Sequence, residues 1–235
     1  LKELIKREST EESYLLLSDF YLIKAKYLND PQAYVQAKLL LNKTELFSSA
    51  DGLKEALLKQ AAAAPSYQER SLLYAELSSQ QDLSPSFLSK VWFLKGINHL
   101  EEGSSNQTFQ FNQDLTPFKQ AAYAFTQTIL IETNPEQLAL AYKYLALTYI
   151  HLSEPSYIKL AWENLNHITT HATLIETFKH PEEIHCLSAW VALHLNDREA
   201  LKRGMAQLLR NPTRKQLWQE HYLKLEALIK MQLGE

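Results

Sequence analysis

The sequence predicts an all-α chain assembled from antiparallel helix pairs. Three observations carry that expectation. Only 5 glycines occur among 235 residues, and sheet-rich folds and phosphate-cradling loops depend on glycine for backbone at positive φ. Eight prolines fall between segments whose apolar residues recur at helical spacing. No stretch alternates apolar and polar residues for long enough to make a strand.

The prolines are Pro31, Pro65, Pro85, Pro117, Pro135, Pro155, Pro181 and Pro212. Proline suits the first turn of a helix, where its missing N–H goes unused, and breaks an interior. Asp30, Ser84, Thr116, Asn134 and Asn211 each precede one of them. Each carries an oxygen that can accept from the orphan amides of the helix that follows. The expected helices are 11–28, 31–47, 51–64, 66–81, 85–102, 117–133, 135–152, 155–170, 181–195, 197–210 and 213–232, with a short extra turn at 173–179. Three turns echo one another: Leu28-Asn29-Asp30, Leu152-Ser153-Glu154 and Leu195-Asn196-Asp197. In each, a leucine closes one helix and an acid opens the next, where it favours the positive end of the macrodipole.

Composition narrows the function classes. A hydrophobic content of 46% is enough to bury a core. The net charge is −3 with both signs interspersed, so no basic stripe is available for nucleic acid. Cys186 is the only cysteine, which excludes an intrachain disulfide. The longest apolar-rich stretch, 138–152, is interrupted by Lys143 and falls short of the roughly 20 residues that span a bilayer. The chain opens at Leu1 inside LKELIKRE rather than at Met, so we expect a piece of a longer protein. The compartment stays open: cytoplasmic, or periplasmic if an export signal preceded Leu1.

The helix pairs also share a residue scheme. One carries Tyr142, Leu145, Ala146 and Tyr149, then Ala161, Leu165 and Ile168. Another carries Ile184, Leu187, Ser188 and Val191, then Ala200, Gly204, Gln207 and Pro212. A third has Trp92, Gly96 and His99, with Gly103 at the turn, then Ala121, Phe125 and Thr128 after an insertion at about 104–116. The first 82 residues follow the scheme loosely, through Tyr14, Leu17, Ser18, Tyr21, Ala33 and Ala37. Small residues let two helices approach, and large ones fill the space beside them. With its large–x2–Leu–small–x2–large order, then Ala and a closing Pro, the chain resembles the tetratricopeptide repeat (TPR) superfamily. Gly204 departs from it, standing where a large residue is usual.

The resemblance implies a right-handed α-solenoid of helix pairs. Divergent repeats would occupy 1–82 and TPR-like repeats 83–235, in one continuous array. Helix 213–232, with Leu217, Trp218, Tyr222, Leu225, Leu228 and Ile229 on one face, is expected to cap its end, the rival reading being a docking helix for a neighbour. In such a fold the first helix of each pair lines a concave groove. The groove positions would be Lys90, Phe93, Ile97 and Leu100, then Lys143, Leu147, Ile150 and His151, then His185, Ala189 and Ala192. That surface is apolar with a few basic side chains, suited to an apolar or amphipathic peptide. If neighbouring helices cover these residues, they are core instead.

The expected function is a non-catalytic scaffold for a peptide or protein, with no cofactor or metal. The Lys and Asn pairs by which some TPR domains grip chaperone tails are missing at the matching positions. Other readings stay open: a TPR-type bacterial secretion chaperone, the soluble part of an envelope-associated assembly factor, or a helical-array enzyme domain. The last would need ionisable groups converging around His167, His171 and His185. His167 and His171 share a helix face without a third ligand at suitable spacing, and His180, His185 and Cys186 are interrupted by Pro181. Cys186 reads as a small buried hydrophobe. Phe109 and Phe111 in the polar insertion either meet a partner or tuck against nearby helices.

Overall fold

The computed structural model describes residues 10–28, 30–44, 50–80, 83–105 and 114–209. Every regular element among them is a helix. In chain order these are α1 (Glu11–Leu28), α2 (Pro31–Thr44), α3 (Ala50–Ala63), α4 (Tyr67–Ser79), α5 (Pro85–Ser105), α6 (Thr116–Ile131), α7 (Pro135–Leu152), α8 (Pro155–Thr170), the single turn α9 (Ala172–Ile175), α10 (Pro181–His194) and α11 (Arg198–Leu209). The expected capping helix 213–232, Asn211, Phe109 and Phe111 lie outside the described residues. The chain forms two compact units, Leu1–Glu102 and Gly103–Glu235, so the division falls near the end of α5. The sequence expectation places the change of repeat character earlier, at 82/83.

Proline with its partner cap starts three helices as expected. Asp30 Oδ1 accepts from the amides of Gln32 (3.0 Å) and Ala33 (3.2 Å) at the head of α2. Asn134 Oδ1 accepts from Glu136 and Gln137 at the head of α7, and Ser84 Oγ accepts from Phe87 N at α5. Thr116 does not cap: it lies inside α6, and its own amide donates to Asp114 Oδ1 at 2.9 Å. The two described members of the echoed turns share one conformation. Ser153 (φ 61°) and Asn196 (φ 57°) both sit in the left-handed region, the usual way to end a helix, though glycine normally takes that place. Asp197 N then donates back to Ala192 O at 3.0 Å, and Asp197 Oδ1 caps Ala200 at 3.0 Å. Glu154 makes no side-chain cap.

In the first unit, α1, α2 and α3 each touch the other two. Leu17 and Ser18 on α1 are buried, as are Ala33, Ala37 and Leu41 on α2. A second cluster joins α3, α4 and α5 through Leu58, Ala61, Tyr74, Leu77 and Val91. Asn98 supports it: its Nδ2 donates to Tyr67 O (3.1 Å) and Ser71 Oγ (2.9 Å). These contacts, all made by α5 residues before 103, are why most of α5 belongs with the first unit.

In the second unit, α6 packs along α7, and Phe118, Ala121, Phe125 and Thr128 are completely buried. Gly103 lies within α5, not at a turn. A Cβ built on it would sit 2.8 Å from carbons of the Phe118 ring, so the bare glycine makes room for that ring. The main core links α7, α8 and α10 through Ala139, Ala146, Ile158, Ala161, Leu165, Ile168, Ile184 and Val191. A smaller one links α10 and α11 through Ala189, Ala192, Leu193, Ala200 and Leu201. Trp162 on α8 packs against both. The departure at Gly204 has a physical reason: a Cβ there would lie 3.1 Å from that of Ala189. Two helices meet backbone to backbone at that point, and no large side chain fits.

Two substitutions test these contacts. Gly103→Ala should destabilise the protein by about 1–3 kcal/mol through overpacking against Phe118, although alanine is the better helix former by about 1 kcal/mol. A rise in urea midpoint would refute the packing argument. Ser153→Gly should act the other way, adding about 0.5 kcal/mol by releasing left-handed strain, readable in the same titration.

Candidate functional site

The surface singled out by the sequence divides between the two units. In the first, Lys90, Phe93, Ile97 and Leu100 follow one another along α5 at helical spacing. Lys90 is exposed, Phe93 and Ile97 are half-buried, and Leu100 is buried. Lys90 Nζ stands 3.6 Å from Glu55 Oε1 on α3. Both groups face water, so this pair adds little stability, but it places a carboxylate beside the lysine.

In the second unit, Lys143, Leu147, Ile150 and His151 lie on α7 and His185 on α10. Leu147 and Ile150 are half-buried. Lys143 differs from the expectation of a groove cation. Its side chain is only 12% exposed, and its Nζ meets Glu183 Oε1 on α10 at 2.7 Å. The same ammonium lies over the Tyr144 ring, 5.6 Å from its centroid. Lys143 therefore ties α7 to α10 through a short ion pair whose lysine is largely covered. Ala189 and Ala192 are not groove positions: both are completely buried, because α11 closes over them at Gly204.

The two histidines add no charge at neutral pH. The His151 ring stacks on that of Phe118, with centroids 4.9 Å apart and planes 8° from parallel. Burial pushes its pKa below the usual imidazole value. His185 is shifted down for the same reason, with nearby Glu182 partly opposing. Of four side chains read as basic from the sequence, two are lysines with a carboxylate neighbour and two are neutral imidazoles. The surface is thus more apolar and less cationic than its letters imply.

His167 and His171 do come together, with ring centroids 4.1 Å apart, and Tyr142 lies 4.5 Å from the His167 ring. His171 Nδ1 donates to the carbonyl of His167 at 2.7 Å. That bond fixes the His171 tautomer at the break between α8 and α9, so this nitrogen acts as a helix cap rather than a ligand. Among the described residues, no three potential ligand side chains gather as a metal site. Cys186 is half-buried, not fully buried, and packs beside the α10–α11 cluster. Burial raises its pKa, followed by the charge of Glu183, so it is held as the thiol.

The sequence reading missed three participants. Phe118 and Glu183 emerge only once α6 and α10 are folded against α7. Asn98 could have drawn notice as an amide in the middle of an apolar helix face. No family model matches the chain, and no curated protein matches it. No helix among the described residues is long and apolar enough to cross a membrane.

The histidines set a pH dependence. His99, His151, His167 and His185 all have pKa values lowered by burial. A base whose folded pKa lies below its unfolded value of about 6.5 takes up protons preferentially when unfolded. Stability is therefore highest above pH 6.5 and falls as pH drops through that value. Urea midpoints should decline between about pH 7.5 and 5.5. His151→Phe, which keeps a ring on Phe118, should reduce that decline, and an unchanged slope would mean that His151 is not held neutral.

Proposed function

We propose that the chain is a non-catalytic interaction module of TPR-like helix pairs, taking a peptide or protein segment on faces formed by its first helices. One observation carries the reading. In the second unit the first helices α7 and α10 are joined by Lys143–Glu183, while the second helix α8 packs against both. The triangle of α1, α2 and α3 repeats this relation in the first unit. Stacked pairs of this kind make a right-handed α-solenoid, in which successive first helices lie side by side and present a preorganised wall.

The chemistry of the wall selects the partner class. Phe93, Ile97, Leu147 and Ile150 are partly accessible apolar groups. The lysines beside them have carboxylate neighbours. An apolar or amphipathic peptide suits such a face, and an acidic tail finds no uncompensated cation at Lys90 or Lys143.

Peptides selected against the chain from a random library provide the probe. Their dissociation constants, measured by fluorescence anisotropy, should rise at least about tenfold, or about 1.4 kcal/mol, for Phe93→Glu or for Leu147→Glu. Circular dichroism should remain unchanged. Full affinity in both folded variants would sink the proposal.

A further inference from the structure

A different surface stands out on the first helix pair. Leu16, Phe20 and Ile23 on α1 are 58%, 51% and 58% exposed. Their spacing of four and then three residues puts them on one stripe of the helix. Val35 and Leu39 on α2, four apart, are 53% and 52% exposed. The other exposed described residues of the pair are Thr10, Glu12, Gln32, Gln36, Asn42 and Lys43, so the exposed described residues are mostly apolar and neutral polar ones.

We infer that the α1 stripe and the exposed α2 residues together form the contact through which two copies of the chain associate, α1 and α2 of one packing on α1 and α2 of the other. Area is the first argument. Five side chains of this size, each about half exposed, offer on the order of 500 Å² of apolar surface, whereas a standard interface takes ~800 Å² from each partner, a little over half of it apolar. The apolar requirement is met by this pair of helices alone.

Charge is the second argument. A two-fold contact sets a face against itself, so uncompensated charge of one sign would repel its own copy. Here several of the described flanking charges pair within the chain. Lys24 pairs with Asp30 at 2.9 Å, Asp19 with Lys59 at 3.0 Å and Lys38 with Glu69 at 3.5 Å. Lys43 lies 5.8 Å from the centre of the Tyr14 ring. Among the described side chains of the pair, the charged residues exposed outside these ion pairs are Glu12 and Lys43, one of each sign. A partner recognised by charge would need a field that this face does not carry, whereas an identical face matches it.

Sedimentation equilibrium of the 235-residue chain tests the inference. The unmodified protein should fit a monomer–dimer equilibrium. Phe20→Glu combined with Ile23→Glu, which sets like charges against each other across the two-fold, should weaken the dimer by about 100-fold. Should that variant lose its helical circular dichroism, Val35→Gln with Leu39→Gln provides the milder change, and it too should shift the equilibrium toward monomer. A chain that stays monomeric at every concentration overturns the inference, as does a dimer that survives in a folded variant.

Discussion

The close approach of helices at alanine and glycine is the constraint on which the rest of this structure rests. Ala139 and Ala146 on α7, and Ala161 on α8, are completely buried. They bring the two backbones near enough for Leu165, Ile168, Ile184 and Val191 to fill the space between. At Gly204 even a methyl group is crowded. Interiors packed this tightly gain dispersion and exclude water, and they fix which faces of each helix remain outside. The positions of the proposed contact residues Leu147 and Ile150 follow from these seams.

The polar groups complement that packing. Buried amides and hydroxyls are used locally: Thr128 and Ser188 donate to carbonyls four residues earlier in their own helices. Asn98 bridges to α4. Lys143 and Glu183 carry the one described ion pair between α7 and α10, and the low exposure of the lysine makes its partner hard to replace. The Lys143–Glu183 pair therefore serves internal alignment of α7 and α10.

Much of the fold is legible in the sequence because proline and capping residues act over a few positions. Helices α7 and α8 occupy the expected 135–152 and 155–170, where Asn134, Pro135 and Pro155 determine the starts with no help from the rest of the fold. Legibility fails where tertiary contact decides. Gly103 looks like a turn, yet α5 continues through it, and the missing Cβ leaves room for the Phe118 ring. Ala189 and Ala192 have the register of an open face, yet α11 covers them. The neutralisation of Lys143 depends on a carboxylate from a different helix pair, which no local spacing reveals. The expected roles of Phe93, Ile97, Leu147 and Ile150 rest on resemblance and on their partial exposure.

Trp162 has a mechanical consequence. Its indole belongs to both hydrophobic clusters of the second unit. Nearest-neighbour stacking by itself would let a terminal hairpin peel away while its neighbours stay intact. With one large ring shared between them, α10–α11 cannot lift off without stripping cover from α8. Loosening of α10–α11 would thereby be felt at α8, through the ring that packs against both clusters.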